Sequence, residues 1–449
     1  QVMNLDLVRD TAVRVLVRVF EQGAYLDLAV DAALRRRTLT DRGRRFMTQL
    51  VYGTVRHLLL CDHVLNRLLR EPAGDLPPPV RAILRMGVFQ ALFCKQVTFP
   101  AMVHTSVDLV RHHSHAGLAR VANAVLRRVP QRIDDVQLPA PDKDFTGYLS
   151  IRHSMPRWLV EEWLDEFGPE TAEALCVASN SEAHATIRTN TLATTPEHLV
   201  EALNRLGKSG GYLAKKTTVV PEEVTLSHGA PSVRSKLFQQ GWFMVQDPAS
   251  MLPAHLLEPK AGERVLDMCA APGGKTTHLA QLAGNAALIV AMDRHANRLP
   301  RIAENVGRLH IKGVHLVCGD GLSLPLNAVF DRVLVDAPCT GIGTLRRHPD
   351  LKWRATPQGR EELARLQTAL LRNAVRVCKN QGHIVYSVCT TTRQETLDVV
   401  QAVLQTEKVI PEDGPEWFTP WKTGPGQYRT LPTAGDWDGF FLMRFRKAS

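Results

Sequence analysis

None of the eight cysteines pairs with another at the C-x-x-C spacing of a zinc or thioredoxin-like site. No apolar run approaches the roughly 20 residues that cross a bilayer. The charged stretch Gln1–Asp10 holds no signal-peptide h-region. There is no internal repeat and no low-complexity segment. These absences point to a cytoplasmic protein without membrane attachment, with reduced and mostly buried thiols and no metal centre. With 44% hydrophobic and 22% charged residues, the chain is neither disordered nor fibrous. Its 449 residues suffice for about three structural units.

The formal charge of +10 is uneven. Residues 1–140 hold 20 Lys and Arg against 12 Asp and Glu. Arg35, Arg36, Arg37, Arg42, Arg44 and Arg45 cluster there. Such a surface attracts polyanions by counterion release, although a solvated basic face without a partner would look the same. Apolar residues at three- and four-residue steps, as in Leu5, Val8, Ala12, Val15, Leu16 and Val19, predict an all-α bundle over residues 1–138. Turns are expected at Pro72-Ala73-Gly74, Pro77-Pro78-Pro79 and Phe99-Pro100, and a linker around Pro139-Ala140-Pro141. Residues 145–235 read as a small α+β segment. It has a helix through Trp158, Trp163 and Phe167 that stops at Gly168-Pro169, a strand near Ala185–Asn190 and a helix near Thr195–Leu206.

From 237 to 449, short apolar strands alternate with helical stretches: Arg264–Met268, Ala287–Met292, Val314–Val317, Arg332–Asp336, His383–Ser387 and Phe440–Phe445. This is the rhythm of a Rossmann-like α/β sheet. The first strand runs into Cys269-Ala270-Ala271-Pro272-Gly273-Gly274-Lys275, a small-residue loop that a ligand can approach closely at a helix N-terminus. A P-loop would need glycine where Cys269 stands, and no G-x-G-x-x-G is present in the loop. Asp293 and Asp320 end the next two strands. Carboxylates there suit ribose hydroxyls and an adenine amino group, and repel triphosphate; each alone could equally cap a helix. S-adenosylmethionine, with a sulfonium and no phosphate, fits this set. Cys339 and Cys389 each follow a strand's carboxyl end, on the rim that carries the loop.

The strings CAAPGGKTT, DAPCTG, RRHPDLKW (Arg346 to Trp353), VYSVCT and DGFF (Asp438 to Phe441) occur in one order. Together they resemble the RNA cytosine-5 methyltransferases. LVYGTVRH (Leu50 to His57), LRMGVFQ (Leu84 to Gln90) and NAVLRR (Asn123 to Arg128) make the helical third similar to a NusB-type RNA-binding domain. The combination resembles the Sun/RsmB (Fmu) type of bacterial 16S rRNA methyltransferase over nearly the whole chain. The resemblance implies methyl transfer from S-adenosylmethionine to cytidine C5. Cys389 would be the nucleophile at C6, Cys339 would assist adduct release, and Asp336 would contact the base, protonated if the closed pocket raises its pKa. Lys275 is assigned to the cofactor loop. Arg346, Arg347 and His348 are expected on the RNA backbone, the alternative being loop packing. The expected partner is 16S rRNA, free or within an assembling small subunit, with no obligate protein partner. Val388 stands where the family has threonine before the nucleophile, which removes a hydroxyl there. A non-catalytic assembly factor and an RNA-stimulated NTPase are the competing readings.

Overall fold

The structure, a computed structural model, describes every residue except 1–4, 37, 211–212, 228–234 and 327–328. Arg37 of the arginine cluster therefore lies outside the described residues. Contacts divide the chain into two compact units, one of residues 1–181 with Arg347–Arg354, the other of Glu182–Arg346 with Ala355–Ser449.

The first unit is helical, as expected. Its main helices are Leu7–Glu21, Leu26–Arg36, Asp41–Arg56, Leu58–Leu68, Pro78–Phe93, Phe99–His113 and Ala116–Leu126. The side chain of Asp6 caps the first by accepting the N–H groups of Val8 and Arg9, and Thr40 caps the third through Gly43. The prolines after Pro77 and Phe99 occupy first helical turns, where the missing N–H costs nothing. Leu16, Leu50, Val55, Leu60 and Leu84 form the buried centre. A Cβ at Gly53 would lie 1.9 Å from the Phe89 ring, so only glycine lets those two helices meet. Arg35, Arg36, Arg42 and Arg45 are exposed.

The division falls at 181/182, inside the segment read as 145–235. Helices Phe145–His153 and Arg157–Asn180 belong to the helical unit. The reason is local: Ser154 Oγ accepts the Leu59 N–H at 2.8 Å, and Met155 packs on Lys352. The long helix is interrupted at Gly168 (φ 78°), and a second helix starts directly at Pro169. Residues 347–354 return to this unit. Lys352 Nζ donates to the Arg56 carbonyl at 2.9 Å, Trp353 Nε1 donates to the Val55 carbonyl at 2.8 Å, and Asp350 accepts the Leu26 N–H. Lys352 is fully buried, and burial, then Arg56, hold it well below the usual lysine range.

The second unit holds two sheets. A four-stranded antiparallel sheet has the order β2-β3-β1-β4, from β1 (Thr186–Thr189), β2 (Ala214–Lys216), β3 (Glu223–Leu226) and β4 (Phe243–Val245). The larger sheet contains β5 (Arg264–Asp267), β6 (Leu288–Asp293), β7 (Val314–Cys318), β8 (Phe330–Asp336), β9 (Cys378–Val388), β10 (Val409–Pro411), β11 (Lys422–Gly424), β12 (Gln427–Thr430) and β13 (Phe440–Lys447). Its order is β11-β12-β13-β9-β8-β5-β6-β7, with β10 paired to β13. All six expected strands are present; β10, β11 and β12 are too short to show a period.

Strands β5 to β9 are mutually parallel along the sheet. They alternate their side chains between two covered faces, hence their continuous apolar runs. Leu266, Val333, Val335 and Tyr386 pack on helices Pro357–Val377 and Leu397–Thr406. Val265, Leu334 and Val385 pack with Leu252 and Leu279 from helices Pro248–Leu257 and Gly274–Leu282. Chain order reverses between β5 and β8, so a ligand crevice is expected at their carboxyl ends.

Candidate active site

The loop from Met268 to Gly273 leaves β5 at that crevice and enters the helix beginning at Gly274. Gly273 has φ 100°, and a Cβ there would press on Ile302 at 3.2 Å. Asp267, which the sequence reading left out, ends β5 fully buried. Its Oδ2 accepts from Thr276 Oγ1 at 2.7 Å, while its Oδ1 lacks a hydrogen bond of good geometry. Burial pushes this carboxyl up to about 7. Asp293 accepts the Ala271 N–H of the loop at 3.2 Å and the His295 N–H at 2.9 Å. Asp320 accepts the Leu322 N–H at 2.9 Å. Both aspartates hold turn N–H groups two residues on, and neither caps a helix. Cys269 is held high by burial and neighbouring carboxylates, so it stays a thiol. Asp267, Asp293, Asp320 and Asp336 stand at or just past the ends of neighbouring strands, one with an unsatisfied buried oxygen. This donor set fits a ligand carrying an ammonium or sulfonium and hydroxyls, and opposes a triphosphate.

Beside the loop, Lys275 Nζ lies 2.7 Å from Asp336 Oδ2, and Ser387 Oγ donates to Asp336 Oδ1 at 2.7 Å. Both oxygens of Asp336 thus accept. Burial alone would lower Lys275, but Asp336, and after it Cys389 and Asp267, hold it above its ordinary value as an ammonium. The Phe440 ring of the DGFF string lies under it, 5.4 Å from Nζ to the centroid.

The two cysteines meet. Cys339 Sγ and Cys389 Sγ are 3.4 Å apart, although 50 residues separate them in sequence. Contact with Cys389, then burial, push the Cys339 thiol well above its usual range. The cysteine loops are clamped by backbone contacts. Gly343 N–H donates to the Cys389 carbonyl at 2.9 Å, and Gly439 N–H donates to the Gly343 carbonyl at 2.8 Å. A Cβ at Gly343 would fall 1.8 Å from the Gly439 oxygen. Of the other six cysteines, Cys61, Cys94, Cys176 and Cys378 are buried, as expected, and Cys269 is partly so; Cys318 is exposed because it ends the edge strand β7.

One expectation fails for the RNA contacts. Arg346 is buried, donating to the Pro432 and Gly435 carbonyls at 2.5 and 3.0 Å and facing Asp436 at 3.6 Å. It braces a loop, the alternative role, and cannot reach an RNA backbone. Arg347 and His348 group with the helical unit, where His348 Nδ1 pairs with Asp27 at 2.8 Å.

A buried polar cluster also escaped the sequence. Glu222 meets His255 at 2.8 Å and also contacts His278 of the helix Gly274–Leu282. These three could sit around a metal ion by distance. Burial, then the nearby Arg188 guanidinium, lower His278 to about 3. A cation so close opposes a dication, and the cluster reads as a brace. Arg188 itself, fully buried, donates to the Gly274 carbonyl at 2.7 Å and to Thr277 Oγ1 at 2.9 Å, tying β1 to that helix.

A parallel sheet with an acidic rim, a small-residue loop and paired thiols defines a Rossmann-like methyltransferase domain. Family models agree: one described as 16S rRNA methyltransferase RsmB/F matches residues 254–446, the NusB family matches 7–131, and an RsmF/B-like ferredoxin-like domain matches 155–232. The chain is 36% identical to ribosomal RNA small subunit methyltransferase B of Thermus thermophilus, over 100% of this chain and 99% of that one. It is 34% identical to a probable small subunit methyltransferase B of Synechocystis, over 98% and 99%. The crystal structure of PH0851 superposes with a TM-score of 0.80 at 27% identity, covering 98% of this chain and 99% of the other. The chain belongs to the RsmB family of ribosomal RNA small subunit methyltransferases.

Proposed function

We propose that this protein methylates C5 of a cytidine in 16S rRNA, with Cys389 as the covalent nucleophile. The observation that carries the reading is the convergence of two thiols, 3.4 Å apart, on the rim that bears the cofactor loop and the Lys275–Asp336 pair. Cytosine C5 is a poor nucleophile until a thiolate adds to C6. S-adenosylmethionine supplies an electrophilic methyl group when bound to the Cys269–Lys275 loop and the carboxylates Asp267, Asp293 and Asp320.

Cys389 forms the S–C6 bond, and C5 becomes the nucleophile. The Lys275 ammonium and Asp336, paired at 2.7 Å, face the amino and N3 edge of the base. C5 takes the methyl group as its bond to the sulfonium sulfur breaks, leaving S-adenosylhomocysteine; a base then takes the C5 proton, the S–C6 bond breaks, and Cys339 assists release. The target cytidine leaves its stack at a cost of a few kcal/mol, least in a loop or bulge. The helical segment and the 145–235 segment would hold the surrounding RNA, free or within an assembling small subunit.

Lys275 engages Asp336, not a phosphate cradle, which counts against the NTPase reading. Bisulfite mapping of ribosomal RNA from cells with and without the protein tests the proposal. One protected cytosine should disappear with the protein. An unchanged map would leave a non-catalytic assembly factor as the better reading.

A further inference from the structure

One buried carboxylate touches both cysteine loops and has no part in the chemistry above. Glu395 is fully buried, six residues past Cys389. Its Oε1 accepts the Thr340 N–H at 2.8 Å and Gln367 Nε2 at 3.1 Å. Its Oε2 accepts the hydroxyls of Thr340 at 2.5 Å, Thr392 at 2.7 Å and Thr390 at 3.1 Å. Thr340 follows Cys339 and Thr390 follows Cys389. Gln367 also donates to the Pro338 carbonyl at 2.8 Å, and Tyr386 Oη donates to the Glu395 carbonyl at 2.7 Å. Neither the short turn Arg393–Glu395 nor the helix from Leu397 uses the Glu395 side chain as a cap. The donors come from the two loops that carry the thiols and from the helix packed behind them.

We propose that Glu395 is the positioning residue of this site, holding the Cys339 loop and the Cys389 loop together so that the two sulfurs stand side by side. The proposal rests on the methyl-transfer reading for its catalytic meaning, but not for its geometry. A carboxyl group that accepts from five donors is satisfied without water, and such networks are rigid. Removing it leaves five donors without a common acceptor. Its charge also acts on Cys339, adding to the effects of Cys389 and burial that keep that thiol protonated. Glu395 would thus set the spacing of the pair and add to what holds the Cys339 thiol high.

The test uses the full-length protein with Glu395→Gln and Glu395→Ala. Glutamine keeps the shape, and the threonine hydroxyls can turn to accept from its amide. Alkylation of each cysteine by iodoacetamide is followed by peptide mass spectrometry from pH 7 to 10, alongside thermal melting. With Glu395→Gln, melting should stay near that of the parent, while Cys339 alkylation at a given pH rises. Diamide should join Cys339 to Cys389 in the parent and should no longer do so with Glu395→Ala. An unshifted Cys339 profile in the glutamine variant, or undiminished cross-linking in the alanine variant, overturns the proposal. RNA methylation is measured in parallel. A parent protein that methylates no RNA sinks the functional reading and leaves the thiol result to decide the positioning role.

Discussion

Asp267 offers a perturbation whose size follows from the structure. Its carboxyl lies fully buried at the end of β5, and burial raises it from 3.8 to about 7. The folded state therefore keeps a proton that the unfolded state releases. This contribution is fully present below about 3.8, is lost as pH rises to about 7, and is constant above. Over that window the loss amounts to about 4 kcal/mol, at 1.36 kcal/mol per pKa unit. Asp267→Asn removes the titration and keeps an acceptor for Thr276. Urea melts of both proteins from pH 4 to 8 should show the variant gaining on the parent by an order of 4 kcal/mol, nearly all of it before pH 7.5. Glu223, raised to about 7 mainly by burial, titrates in both proteins and cancels in the difference. A ligand bearing an ammonium should also stabilise the Asp267 carboxylate. Calorimetry of S-adenosylhomocysteine binding at pH 6.5 in buffers of different ionisation enthalpy should register proton release by the parent and none by the variant. A stability difference that ignores pH, or equal proton release by the two, would refute the reasoning.

Diamide, which takes one hydrogen from each thiol, should join Cys339 to Cys389 reversibly and stop methylation, because the sulfurs are 3.4 Å apart. Gly343→Ala should slow this cross-link by at least tenfold on peptide mapping, since its Cβ would collide with the Gly439 carbonyl. In the helical unit, buried Lys352 makes stability rise with pH, as the folded state favours the neutral amine. Lys352→Met should flatten that dependence in melts between pH 6 and 9, and an unchanged slope would contradict the burial argument.

Strand positions were legible because parallel strands covered on both faces need continuous apolar runs, as in Arg332–Asp336. The helical bundle showed through its three- and four-residue spacing. The paired thiols could be placed on one rim because both follow strand ends. Contacts made by distant parts of the chain were not legible. Arg346 looks like a basic surface residue until the carbonyls of Pro432 and Gly435 are seen around it. Residues 347–354 give no sign that they pack on Val55 and Arg56. Thr392-x-x-Glu395 has capping-box spacing, although Thr392 makes no side-chain cap there. That signal hides the contacts to Thr340 and Gln367, 55 and 28 residues away. Asp267 is one more acidic strand end until its burial is known.

The central claim is that Cys389 attacks the base and Cys339 helps release it. Its most direct test incubates full-length protein, Cys339→Ala and Cys389→Ala with S-adenosylmethionine and 16S rRNA, then separates the products under denaturing conditions. Cys339→Ala should accumulate a denaturant-resistant protein–RNA adduct, and Cys389→Ala should form none and methylate nothing. An adduct that builds up in the Cys389 variant instead would reverse the two roles, and methylation at the parent rate without Cys389 would contradict the account altogether.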